Sequence, residues 1–222
     1  MTKNKPGIKN ILIVLAMFCC LATPRVSVAA EDYFLKRPKA FTVQEAYEFF
    51  GYERTPFSRE ESTMPEFEAR YLEHLFRASD MAMQARVNMM QHFFAGRNLN
   101  KERLKEYLQT VENIRQSFAL NRAPTKELRD VQELFLFALE DQRDFFIKWS
   151  MAYGPEYIKL RKTYEDHELV QSSHFRLQRV YTQLMLLYPE ESPYNHKAFY
   201  SHLNAMDFII NTSHATNYGT SR

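Results

Sequence analysis

Glycine is scarce in this sequence: five of 222 residues. No run of alternating apolar and polar residues is bounded by turn pairs, so a β-rich fold is excluded. Cysteine is scarcer still, with only Cys19 and Cys20, side by side near the start. Thiolate metal sites and a cysteine nucleophile are therefore excluded from the rest of the chain. The longest uncharged, mostly apolar run, Ile11 to Thr23, covers 13 residues, well short of the ~20 a membrane-spanning helix needs. Charge of one sign is lacking as well. There are 29 Lys+Arg against 27 Asp+Glu, a formal balance of +2, and basic residues alternate with acids along the chain. That pattern excludes a basic nucleic-acid stripe. The motifs of common chemistries are missing too: no G-x-S-x-G elbow, no glycine-rich phosphate loop, no C-x-x-C-H and no Glu-x-x-His pair.

What is present begins with an address. Lys3, Lys5 and Lys9 make a basic start, Ile11–Thr23 supplies the apolar segment, and Val28-Ala29-Ala30 offers small residues where a signal peptidase reads. Residues 1–30 are expected to be a secretory signal peptide, cleaved after Ala30. Cleavage removes Lys3, Lys5, Lys9 and Arg25 and no acid, so 29 basic residues fall to 25 against an unchanged 27 acidic ones. It also removes both cysteines. The expected mature chain is slightly acidic and cysteine-free, and is stabilised by its core and not by disulfides. The expected location is exported: periplasmic in a bacterium, otherwise secreted, with no stable membrane span after cleavage.

Residues 31–63 read as an aromatic-rich arm. Thr42 and Glu45 make a capping box, and a short helix over Val43–Phe50 is stopped by Gly51. Eight aromatics fall between Tyr33 and Phe57, about twice the chain average. Tyr33, Phe34, Phe41, Phe49, Phe50, Tyr52 and Phe57 are the candidate interaction residues of this arm. They either close the core of the following domain or form an exposed patch for a partner.

From residue 64 to 211 the pattern is helical. A capping box at Thr63 and Glu66 opens a helix reaching Ala95, with Leu72, Leu75, Phe76, Ser79, Met83, Val87, Met90 and Phe94 on one face. Asn100 opens a second helix, with Leu104, Tyr107, Leu108, Val111, Ile114 and Phe118 inward. A third spans Lys126–Ala152, and its stretch Leu134–Leu139 is apolar on every side, which places it centrally or at an oligomer interface. A fourth is expected from Pro155 to Leu187, and a last one after Ser192-Pro193. Residues 212–222 read as a flexible tail. Short connections between long helices give an all-α, up-and-down bundle of four to five long helices, preceded by the arm.

One stripe breaks the apolar pattern. On the fourth helix His167, Gln171, His174 and Gln178 occupy positions where core residues are expected. They mark either a helix that turns to the surface or a polar ligand-binding pocket. His167-Glu168 followed by Gln171 falls one ligand short of the H-E-x-x-H zinc motif, because glutamine is a poor zinc ligand. The methionines Met81, Met83, Met89 and Met90 point to different sides of their helix and read as core filler. No metal and no cofactor is expected, and no catalytic residue is assigned. The expected function is an exported helical bundle acting by protein–protein interaction or self-association, not by catalysis. The alternatives are a carrier holding an apolar or amphipathic small molecule between the helices, and a metal site assembled from His and carboxylates on different helices.

Overall fold

The structure is a computed structural model describing residues 40–49, 51–94 and 101–208. The expected leader and tail, and Tyr33, Phe34 and Phe50 of the arm, lie outside the described residues. Among the described residues there are seven α-helices and no strand.

The arm carries α1 (Val43–Phe49). Its capping box forms as expected. Glu45 N–H donates to Thr42 Oγ1 at 3.2 Å, and Thr42 N–H donates to the Glu45 carboxylate at 2.7 Å. Gly51, at φ 75°, ends the helix, with Gly51 N–H on Glu48 O and Tyr52 N–H on Tyr47 O. That double bond needs a left-handed residue at Gly51, which only glycine adopts without a Cβ penalty.

Five long helices follow: α2 (Glu66–Phe94), α3 (Lys101–Leu120), α4 (Lys126–Met151), then, after a short α5 (Gly154–Lys162), α6 (Glu168–Leu187) and α7 (Pro193–Phe208). Each long helix packs on the next, and α7 returns to α2. The direction of each is fixed by its contacts. Tyr107 meets Phe146 and Phe118 meets Phe135, so α3 and α4 are antiparallel. Gln142 meets Ser173, and Asp141 meets Arg176, one α4 residue back and three α6 residues on, so α4 and α6 are antiparallel too. Phe76 meets Phe199 and Arg86 meets Met206, so α2 and α7 run parallel. The result is an up-and-down ring of helices. Parallel α2 and α7 are what an odd number of alternating helices requires.

The inward faces match the sequence periodicity. Leu72, Leu75, Phe76, Ser79, Met83, Val87 and Met90 of α2 are buried, as are Leu104, Tyr107, Val111, Ile114 and Phe118 of α3. The helix α4 lies between α3 and α6, its most extensive neighbour, and buries Leu128, Val131, Phe135, Ala138, Phe145 and Trp149. Its all-round apolar stretch is not covered on every side. Phe137 stays 47% exposed, with the Arg176 guanidinium 5.1 Å from its ring centre.

Two local expectations give way to long-range contacts. The capping box at Thr63 and Glu66 does not form. Thr63 Oγ1 donates instead to the carbonyl of Glu190 at 3.0 Å, while the Glu66 carboxylate accepts from Arg59 and Arg70. The turn before α7 lies alongside Thr63 and offers it a stronger partner than its own helix does. The expected fourth helix is also broken. Between α5 and α6 lies a 3-10 turn, Tyr164–Asp166. His167 is extended there (φ −71°, ψ 133°) and caps α6, its Nδ1 accepting from Leu169 N–H at 3.2 Å. Glu168 in the first turn of α6 favours a new helix start at this point.

Candidate functional site

The polar chemistry of the interior is concentrated where the arm crosses α2 and α7. Asp80 points inward one turn after Phe76 on α2 and is almost fully buried. Its carboxylate accepts from Tyr47 Oη at 3.0 Å, and from Arg54 Nε at 3.1 Å and Nη2 at 2.6 Å. From α7, His202 Nε2 approaches to 3.2 Å, close enough to pair electrostatically but misaligned for a hydrogen bond. Burial acts to raise the Asp80 pKa. His202 and Arg54 beside it outweigh burial, so the carboxyl sits below the ordinary carboxylate value. Arg54 is held above the usual guanidinium range by its hydrogen bonds to Asp80.

A second latch lies one end of α7 away. Glu191 accepts from Ser62 Oγ at 2.8 Å, Thr63 N–H at 3.2 Å and Ser192 N–H at 2.8 Å. Asn195 clasps Ser58 from both sides, each bond 2.9 Å. Between the two latches Phe57 stacks on Phe76 and Phe199, ring centres 5.6 and 6.2 Å apart. The arm is thus fixed to the α2–α7 groove by charge, by amide hydrogen bonds and by aromatic stacking.

Ser201, His202 and Asp80 lie in a row that invites comparison with a hydrolase triad. The roles do not fit. His202 Nδ1 donates to the carbonyl of Ala198 at 2.8 Å, its Nε2 faces Asp80, and Ser201 Oγ is buried against Ala198 O and Thr55 O. A general base needs one ring nitrogen facing the nucleophile's proton and a nucleophile within substrate reach. Here both nitrogens are turned toward protein acceptors, and the hydroxyl is enclosed.

Deeper in the ring, Arg86 of α2 has no solvent exposure. Its Nη1 donates to Gln142 Oε1 at 2.6 Å, and Gln142 passes the chain on to Ser173 Oγ at 2.8 Å. Its Nη2 donates to Met206 O of α7. Burial pushes the guanidinium down to about 10, which still leaves it charged at neutral pH.

The polar stripe divides. His167 is the α6 cap just described, and its ring lies edge-on to Phe145, 5.1 Å centre to centre. Gln171 is exposed and donates to Glu165 O at 2.5 Å. His174 is half-buried, its Nδ1 2.6 Å from the Asp207 carboxylate; burial raises Asp207 above the ordinary carboxylate value. Gln178 is exposed on the wall of a groove of about 280 Å³ between α6 and α7, shared with Tyr181, Tyr200, Asn204 and Asp207. Of the arm residues, Phe57 is buried, Phe41 and Tyr52 are half-buried, and Phe49 is exposed with its ring 5.3 Å from Phe41. Tyr52 Oη accepts from Asn204 Nδ2 at 3.3 Å. Asp80 and Arg86 were not singled out from sequence. The available signal was two charges, Asp80 and Arg86, on or beside the one apolar face of α2.

Among the described residues no three His, Cys, Asp or Glu side chains gather as metal ligands would. None of the described helices is long and apolar enough to cross a membrane. No family model, no curated protein and no solved structure matches this chain.

Proposed function

We propose that the mature chain is an exported helical scaffold, periplasmic in a bacterium and otherwise secreted, that acts through contact with a second copy of itself or another protein and not by catalysis. The observation that carries this reading is the corner joining α4 to α5. Within eight residues, Met151, Tyr153 and Ile158 stand 59%, 80% and 54% exposed. Methionine and aromatic residues are enriched at the cores of protein interfaces, and large apolar side chains clustered in the open mark interaction surfaces. The near balance of charge lets like chains approach without strong repulsion. Nucleic acid is not part of this reading.

The combined substitution Met151→Ser, Tyr153→Ser and Ile158→Ser is expected to abolish self-association in sedimentation velocity at micromolar concentration. Helicity and melting temperature should stay unchanged, because these side chains are exposed. A variant that associates as the parent does would remove the corner from the account.

A second reading is a small-molecule carrier, favoured by one observation. The groove between α6 and α7 takes Gln178 into its wall and has the His174–Asp207 pair beside it. Its volume of about 280 Å³ lies just under the ~300–1,000 Å³ usual for ligand sites. A mature protein that retains no small molecule on gentle purification would end this reading.

A further inference from the structure

We propose that the chain pairs with a second copy of itself across the outer face of α4 and α6, with α4 of each copy lying on α6 of the other. The inference rests on the reading above, in which the chain acts through a second copy or another protein, and it decides between the two.

The first observation is a line of open side chains. Glu133, Phe137, Glu140, Asp144 and Met151 recur along α4 at steps of three, four and seven residues, which keeps them on one side of a helix. All are exposed except Glu140, which is half-buried. Met151 belongs to the corner between α4 and α5, so the corner continues this line. On α6 the same spacing joins Phe175, Arg179, Thr182 and Leu186, all of them exposed. The two helices are neighbours, and Arg176 of α6 lies over the ring of Phe137, so the two lines share one face. Within the apolar stretch Leu134–Leu139, Phe137 is the residue left exposed. A second copy covers the side of α4 that the bundle leaves open.

The second observation is charge. Residues 133–141 of α4 hold Glu133, Glu140 and Asp141 and no base, while residues 169–187 of α6 hold Arg176 and Arg179 and no acid. Asp141 and Arg176 pair within the chain. Glu133, Glu140 and Arg179 have no ion-pair partner among the described residues. Unpaired acid on one helix and unpaired base on the next complement each other when α4 of one copy faces α6 of the other.

The third is register. A two-fold axis running along the helices, between α4 and α6, sets each α4 on the other copy's α6 at the same height. The meeting of Gln142 with Ser173, and of Asp141 with Arg176, puts Phe137 level with Arg179. The Arg179 guanidinium of the second copy thus arrives over the Phe137 ring, with Glu133 and Glu140 one turn to either side. An axis across the helices would instead stack α4 on α4 about Phe137. That arrangement brings Glu133 against Glu140, like charge on like.

The test is sedimentation velocity of the mature protein and its variants across the micromolar range. Phe137→Ser combined with Phe175→Ser should weaken self-association about tenfold or more. Glu133→Arg with Glu140→Arg should do the same, and so should Arg179→Glu alone. All three charge reversals in one chain should restore association close to that of the parent, which a misfolded variant could not do. Circular dichroism should show parental helicity throughout, because these side chains lie at the surface. A parent chain that stays monomeric overturns the proposal, and the wider reading then stands only if another protein is captured by crosslinking. A parent that associates, with Arg179→Glu or the phenylalanine variant undiminished or the combined reversal no better than its parts, overturns this face and leaves self-association through the corner.

Discussion

Asp80→Ala is expected to release the arm from the bundle and cost about 3–5 kcal/mol of unfolding free energy. One carboxylate neutralises Arg54, receives Tyr47 Oη and faces the buried ring of His202. Removing it leaves a half-buried guanidinium and a buried phenol without their acceptor, and a buried imidazole without the carboxylate it faces. The loss of one partner from a buried charge pair costs more than the pair contributes, because the survivor stays desolvated. Asp80→Asn keeps the shape and one acceptor oxygen and should cost less than alanine. Urea melts measure the size of the effect. Limited proteolysis locates it, since cleavage should appear first in residues 40–63.

The same carboxylate sets a pH dependence. Its folded pKa lies below its ordinary value of 3.8. A depressed acid contributes stability that is fully present above the unfolded pKa and is lost as pH falls through the folded one. The contribution of Asp80 should therefore be constant at neutral pH and disappear below about pH 3.8. An acid melt of Asp80→Asn should lack that component. Glu191, also held below its ordinary value by hydrogen bonds that outweigh burial, adds a parallel loss at the other latch.

Arg86→Ala is the second large effect, at about 3–5 kcal/mol. The substitution leaves a cavity in the middle of the ring and removes the donor to Met206 O and to Gln142. Arg86→Met fills most of the volume and removes the cost of burying a charge, so it should lose only about 1–3 kcal/mol. An alanine variant no less stable than the methionine variant would contradict this account of the core. Urea denaturation of both variants decides it.

The contrast between these residues and the helix faces shows where sequence is readable. The faces of α2, α3 and α4 follow from spacing alone, because a helix turns every 3.6 residues whatever it packs against. The box at Thr42 and Glu45 is equally local, and it forms. Thr63 carries the same signal as Thr42, yet it bonds to Glu190, 127 residues away in sequence. No local rule holds that information.

The fourth helix fails for a related reason. His167 is compatible with a helix interior by propensity, and only its bond to Leu169 N–H and its packing on Phe145 make it a cap. The continuous stripe from His167 to Gln178 was a product of the assumed continuous helix. Once the helix breaks, His167 and His174 have separate tasks. Asp80 was hidden by its neighbours. It sits within an apolar face, and only the return of α7 to α2 places it beside His202.

Native mass spectrometry of the purified mature protein tests the central claim most directly. The account predicts a chain beginning at Glu31 and present in complexes of more than one subunit, or bound to a defined partner protein after crosslinking. A chain that is strictly monomeric across the micromolar range, and crosslinks to no defined partner, would contradict it.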